Sequence, residues 1–358
     1  MQHIDIKVET SPYIRKDTST KRMMIDVLIA LTPVVFFSIY KFGLSALLRM
    51  LVSIVSMVGF EVLYIILFKK VEPEKTYQQT WMKRMKSLTI NNITAPMVSG
   101  LIFSLLLPDQ VSYYVIIIGS FFGIIVGKMI FGGLGHNLFN PAAFGRVFVG
   151  LSLTALMGIG VYSQVDGVSG ATSLAIGFPE VFASYSLKDM FFGNIPGSLG
   201  ETSSLAILIG GIYLLIRRSA DFRPVIATLL SFTILIIIAG FILYPNDVLK
   251  FTLYHLFTGG LLFGVFFMVT DPVTSPITRP GRFIFGLIIG ALIFAIRMFG
   301  AYPEGVAMAI LVANLFVPLI DYPKWATNQY TKKFFIGYAL SFVCIILLSV
   351  WMLGGFGL

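Results

Sequence analysis

The sequence predicts an all-α integral membrane protein with ten or eleven transmembrane helices and one long extracytoplasmic loop. Three observations lead there. Of 358 residues, 57% are hydrophobic and only 12% are charged, about half the charged fraction of a soluble domain. Apolar runs recur from about residue 24 to the end of the chain, and several reach the ~18 residues that read as a membrane-crossing helix. The basic residues fall mostly in short connections between those runs, the distribution that sets orientation in a bilayer. A single soluble core is excluded, because so little polar surface would remain to face water.

The elements follow in order. Residues 1–23 are polar, hold Lys7, Arg15, Lys16, Lys21 and Arg22, and have no apolar core beside a cleavage site. They are expected to stay in the cytoplasm. Helices are expected near 24–40, 44–68, 92–107, 113–131 and 138–157, and after a long gap near 203–216, 224–244, 251–269, 282–299, 304–320 and 333–354. Residues 24–157 then form a first membrane repeat. Residues 158–202 form the loop, and residues 203–358 a second repeat with a C-terminal helix.

Charge orients these spans. Lys69, Lys70, Lys75, Lys83, Arg84 and Lys86 follow the second; Arg217, Arg218 and Arg223 follow the sixth. Arg279 and Arg282 precede the ninth, and Lys324, Lys332 and Lys333 the last. With the N-terminus inside, every cluster lies on the cytoplasmic face and the loop lies outside. The net charge of +9 is thereby explained without nucleic acid.

The chain also resembles itself. VSGLIFSLLLPD, GIIVGKMIFGG and GHNLFNPAAFG in the first half answer TGGLLFGVFFMVTDP, GLIIGALIFAI and GAYPEGVAMAI in the second. Gly100 aligns with Gly260, Gly123 with Gly286 and Gly127 with Gly290. The paired spans run in opposite directions on this count, so an inverted repeat of five helices is expected, with sites near the midplane at the repeat interface. A urea-transporter-like channel or secondary transporter has the same general layout, and is the rival reading.

The loop contains Asp166-Gly167-Val168-Ser169-Gly170-Ala171-Thr172. Read from its residues, this is a small, hydroxyl-bearing surface stretch whose glycines let a large group approach the backbone, or an ordinary turn. The stretch resembles the pattern read by flavin transferases: Asp, two variable residues, Ser or Thr, Gly, Ala, then Thr or Ser. Together with GKMIFGGLGHNLFNPAAFGR and TDPVTSP, in this order, it resembles the RnfD/NqrB family. These are membrane subunits of ion-pumping flavin electron-transfer complexes. The short segment before the first span is closer to RnfD, of the ferredoxin:NAD oxidoreductase (Rnf) complex, than to the longer NqrB of the sodium-pumping NADH:quinone oxidoreductase.

The resemblance implies covalent FMN, joined through its phosphate to the Thr172 hydroxyl. Asp166, Ser169, Gly170 and Ala171 would serve recognition by the transferase and clearance around the flavin. The isoalloxazine does the redox work, so Thr172 is an anchor and no catalytic residue is assigned. The resemblance also implies a non-covalent riboflavin in the membrane part. Asn137 and Asn140 are candidates to bond its ring edge, and Phe139 and Phe144 to stack on it; the alternative is that the asparagines cap a broken helix. Arg146 is expected to pair with Asp109 or Asp271, or to sit at a helix end.

For an ion path, the candidates are Glu61, Asp109 and Asp271, because ionisable groups at membrane depth are functional candidates by default. Asp26 and Glu304 also lie beside apolar runs. Moving one charge against 100 mV takes about 2.3 kcal/mol, which one electron falling through the same potential supplies. Either Na+ or H+ is compatible.

One cysteine, Cys344, cannot form an internal disulfide or hold an iron–sulfur cluster, and His3, His136 and His255 are too scattered for a metal site. With no nicotinamide fingerprint either, the chain is expected to act only as a subunit. The resemblance supplies the partners: RnfA, RnfB, RnfC, RnfE and RnfG, the flavin transferase, and the lipid of a prokaryotic cell membrane.

Overall fold

The computed structural model describes residues 19–71, 77–157, 173–300 and 305–355. Asp166, Ser169, Gly170, Ala171, Thr172 and Glu304 lie outside the described residues. Among those described, the fold is helical with no strand. The helices are α1 (Thr20–Phe42), α2 (Leu44–Phe68), α3 (Tyr77–Lys86), α4 (Asn91–Leu105), α5 (Tyr113–Phe121, continued by a π-helical segment, Phe122–Met129) and α6 (Pro141–Ser152). Then come α7 (Ser173–Ile176), α8 (Leu187–Phe192), α9 (Ser204–Arg217), α10 (Phe222–Leu243), α11 (Val248–Phe257), α12 (Leu261–Phe267), α13 (Arg279–Phe299), α14 (Val306–Ile320) and α15 (Lys332–Gly355).

Each expected apolar run is occupied by helix, but the helices differ in reach. α1, α2, α10, α13 and α15 are long and apolar enough to cross a bilayer alone. α11 and α12 form an apolar pair bent by 50°, broken where Gly259 and Gly260 both take positive φ. α4, α6, α9 and α14 have 12 to 15 residues, fewer than the ~20 of a full span. Short helices with irregular ends are tolerated at membrane depth only when buried in protein. The run expected at 138–157 is α-helical only from Pro141 to Ser152, followed by a short 3₁₀ helix at Thr154–Leu156, because Asn140 and Pro141 start a helix and the glycines before them do not continue one.

The two halves use equivalent packing. α2 lies against α4 and α5, and α10 lies against α11, α12 and α13. α1 meets α9 and α6 meets α14, so corresponding elements face each other across the seam. The aligned glycines do not make equivalent contacts, however. A methyl group on Gly123 would sit 2.6 Å from the Pro141 carbonyl oxygen of α6, whereas one on Gly286 would meet Ala227 of α10.

The α1–α9 seam is close. A Cβ at Gly210 would collide with the Ala30 carbonyl oxygen of α1, a small-residue crossing of the kind that lets membrane helices approach. Gly210→Val is therefore expected to destabilise the bundle by about 1–3 kcal/mol or more. Gly59, whose Cβ would meet nothing within 4 Å, serves as the control. Thermal unfolding of both variants in detergent makes the comparison. The buried Asp26 fastens the same seam, accepting from Tyr213 Oη (3.4 Å), an Arg217 guanidinium nitrogen (3.3 Å) and Ser219 Oγ (2.5 Å).

The loop after α6 is tied to the bundle at both described ends. Leu174 of α7 is buried with Val181, Met190, Ile195 and Tyr254 in a small second core. Tyr254 Oη donates to the Leu174 carbonyl (3.4 Å) and Tyr244 Oη to that of Phe178 (3.0 Å). Residues 195–204, expected partly outside, are buried. Their backbone closes the end of α4, with Leu199 N donating to Leu107 O (3.0 Å) and Gly200 N to Leu105 O (2.7 Å). Ser38 and Lys41 of α1 donate to the carbonyls of Leu199, Gly193 and Ile195.

Candidate polar site at the interface of the two halves

The π-helical segment ends the fourth apolar run and carries Lys128. Segments of this kind are frequent at functional sites. Lys128 is 2% exposed and its Nζ donates to Glu61 Oε2 at 2.6 Å; Glu61, on α2, is fully buried. Asn92 of α4 approaches the other carboxylate oxygen at 3.4 Å. Removing two charges from water costs several kcal/mol per ion, and only good geometry with added hydrogen bonds repays it. At 2.6 Å the pair has that geometry.

A second group faces this pair from the other half. Asp271 follows α12, accepts from Val273 N and Thr274 Oγ1 (both 3.1 Å), and feels the Lys128 charge. Asn140 Nδ2 reaches toward it at 3.5 Å. Asn140 Oδ1 caps α6, accepting from Ala142 N and Ala143 N at 3.1 Å. Its own N–H donates to Asn314 Oδ1 (3.2 Å), and Asn314 Nδ2 donates to Thr274 O (2.9 Å). Asn314 is fully buried and stitches the start of α6 to the chain after α12. Asn314→Leu would leave the Asn140 N–H and the Thr274 carbonyl unpaired. At about 1–3 kcal/mol for each buried group left unsatisfied, it is expected to lower the unfolding midpoint clearly, as read by thermal unfolding in detergent.

Between the halves lies a cavity of about 70 Å³, enough for several waters. Lys128, Asn137, Asn140 and Asp271 form part of its wall, with Val27 of α1 and Ser219 beyond α9. Asn137 Nδ2 donates to Phe139 O (3.0 Å), while its buried Oδ1 has no partner among the described residues. That oxygen is an acceptor left without a partner on a residue of the cavity wall. Phe139 and Phe144 are absent from the cavity lining. They pack against each other at 5.6 Å between centroids, and Phe139 against Phe131 at 5.8 Å.

The structure thus gathers Asp271, Asn137 and Asn140 around one cavity, holds Glu61 behind the Lys128 of its wall, and leaves Asp109 elsewhere. Asp109 is buried near the other end of α1, where it interacts with the Lys41 charge. Arg146 Nε donates to the Leu106 carbonyl (2.9 Å), near the end of α4. Sequence reasoning passed over Lys128 and Asn314. Each was visible as a lone polar residue inside an apolar run, which is itself a signal.

The sequence profile of the NQR2, RnfD, RnfE family matches residues 7–329. The chain is similar to a subunit of the Na(+)-translocating NADH-quinone reductase of Ectopseudomonas mendocina, 35% identical over 88% of this chain and 86% of that one. It is similar to the corresponding reductase subunit of Pseudomonas aeruginosa PAO1, 41% identical over 63% of this chain and 58% of that one. It is equally similar, at 35% over 88% of this chain and 93% of that one, to a subunit of the proton-translocating ferredoxin:NAD(+) oxidoreductase complex of Clostridium ljungdahlii.

Proposed function

Because this chain belongs to the NQR2, RnfD, RnfE family, we propose that it is the membrane subunit that carries covalent FMN in an ion-translocating ferredoxin:NAD oxidoreductase. The observation that carries the reading is the complete stretch from Asp166 to Thr172, a flavin-transferase pattern within a member of this family. FMN would be held at Thr172 through a phosphoester and would supply one-electron chemistry. The described chain resumes at Ser173, and Leu174, two residues past the anchor, is buried against the bundle. That burial supports a tether kept close to the membrane surface.

The same identity to subunits of both kinds of complex favours an NADH:quinone role equally. The electron donor distinguishes them: membranes lose NAD reduction by reduced ferredoxin in one case and quinone reduction by NADH in the other when the gene is removed. A riboflavin in the membrane part is supported by Asn137, whose Oδ1 would accept from a ring N–H. Asn140 contributes less than its sequence position implies, because its oxygen is committed to α6.

The polar set of Glu61, Lys128 and Asp271 is the proposed place where a coupling ion passes the seam between two inverted repeats. It has charge of both signs and room for water. The chain works with partner subunits in a prokaryotic cell membrane, its N-terminus cytoplasmic and its flavin loop on the outer face. Mass spectrometry of protein co-produced with its flavin transferase tests the central claim. The peptide containing Thr172 should carry one FMN less one water, and an unmodified peptide would sink the reading.

A further inference from the structure

Helix α3 is basic and amphipathic, and neither the redox reading nor the bundle uses its outer face. α2 has 25 residues, ~37 Å of helix, so its C-terminal end reaches past the ~30 Å hydrocarbon core into the headgroup layer. α3 follows that end and meets α4 at 69°, an angle that lays α3 along the membrane surface where α4 runs along the membrane normal.

Its attachment is specific. The Arg84 guanidinium donates to the carbonyls of Ile66 (3.2 Å), Leu67 (2.6 Å) and Lys69 (2.9 Å). These belong to the last turn and C-cap of α2, where backbone acceptors lack helical partners. Lys69 Nζ returns a bond to Ser87 O at 3.2 Å. The clamp leaves Trp81, Met82 and Met85 on one helical face, exposed by 40%, 51% and 40%. Residues 69–86 carry six cations (Lys69, Lys70, Lys75, Lys83, Arg84, Lys86) against two acids (Glu72, Glu74), and Lys70 and Lys86 are exposed.

We propose that the clamped α2–α3 corner is a binding site for an anionic phospholipid, its acyl chain under Trp81, Met82 and Met85 and its phosphate on Lys70 and Lys86. A tryptophan and two methionines at headgroup depth fit acyl chains. Cations beside them add attraction for anionic headgroups of about 1 kcal/mol each, or about five-fold in occupancy. The proposal depends on the chain spanning the membrane and not on the flavin.

Trp81 reports the site directly once Trp325 and Trp351, the other tryptophans of the chain, are replaced by phenylalanine. The full-length Trp325→Phe/Trp351→Phe protein is reconstituted in phosphatidylcholine vesicles containing a minor fraction of brominated lipid. Brominated phosphatidylglycerol should quench Trp81 about five-fold or more above its mole fraction, relative to brominated phosphatidylcholine. The preference should fall several-fold in Lys70→Gln/Lys86→Gln and at high salt, with α3 still clamped because Arg84 is untouched. Equal quenching by the two lipids overturns the proposal. Loss of all quenching in the assembled complex also overturns it, by showing that a partner subunit covers the face.

Discussion

Lys128→Met is expected to destabilise the protein by about 3–5 kcal/mol, the cost of stranding one member of a buried ion pair. Glu61 is fully buried and its partner only 2% exposed, so loss of the ammonium leaves a buried carboxylate without its countercharge. Glu61→Gln strands the lysine instead and should cost a similar amount. The double variant Glu61→Gln/Lys128→Met removes both charges while keeping volume, and replacement of a whole buried pair is often neutral. Its stability should return to near that of the parent. Thermal unfolding of the four proteins in one detergent closes the cycle; a double variant no better than the singles would show that the two groups are not coupled. The same four proteins separate structure from ion movement. If the pair only holds α2 to the π-helical segment, the double variant restores transport as well as folding. If Glu61 and Lys128 form the ion's route past Asp271, it restores folding alone.

Thr172→Ala is expected to remove covalent flavin completely, and Thr172→Ser to keep it. The proposed bond joins the FMN phosphate to a side-chain hydroxyl, which serine retains and alanine lacks. The readout is the yellow-green fluorescence of acid-denatured protein under ultraviolet light on a gel. A fluorescent band that survives Thr172→Ala would place the flavin on another residue. Since the isoalloxazine carries the redox chemistry, electron flow through the assembled complex should fall with the band in Thr172→Ala and persist in Thr172→Ser. Asp166→Ala separates recognition from attachment: it leaves the accepting hydroxyl in place, so a lost band there assigns Asp166 to the transferase's reading of the loop.

What the sequence determined by itself is what depends on neighbouring residues. Membrane insertion is a property of contiguous apolar length, so each run became helix, and even the break at Thr258–Gly260 shows its glycines in the sequence. The Asp166–Thr172 stretch is contiguous too, which is why an anchor could be named although it lies outside the described residues. The family followed from equally local motifs. Tertiary structure decided which polar residues meet. Glu61 and Lys128 are 67 residues apart and Asn140 and Asn314 are 174, and helical periodicity carries no record of partners at such distances. Asp109 and Asp271 end matching motifs, yet Asp271 enters the cavity and Asp109 packs near Lys41 at the other end of α1. Asn140 read equally well as a ligand or a cap, and the α6 amides it accepts from decided for the cap. Residues 195–202 read as outer loop because they are polar and glycine-rich; backbone bonds from Leu199 and Gly200 to the end of α4 hold them in the bundle, where they are buried. Buried polar groups must be satisfied somewhere, and only the folded chain determines by which partner.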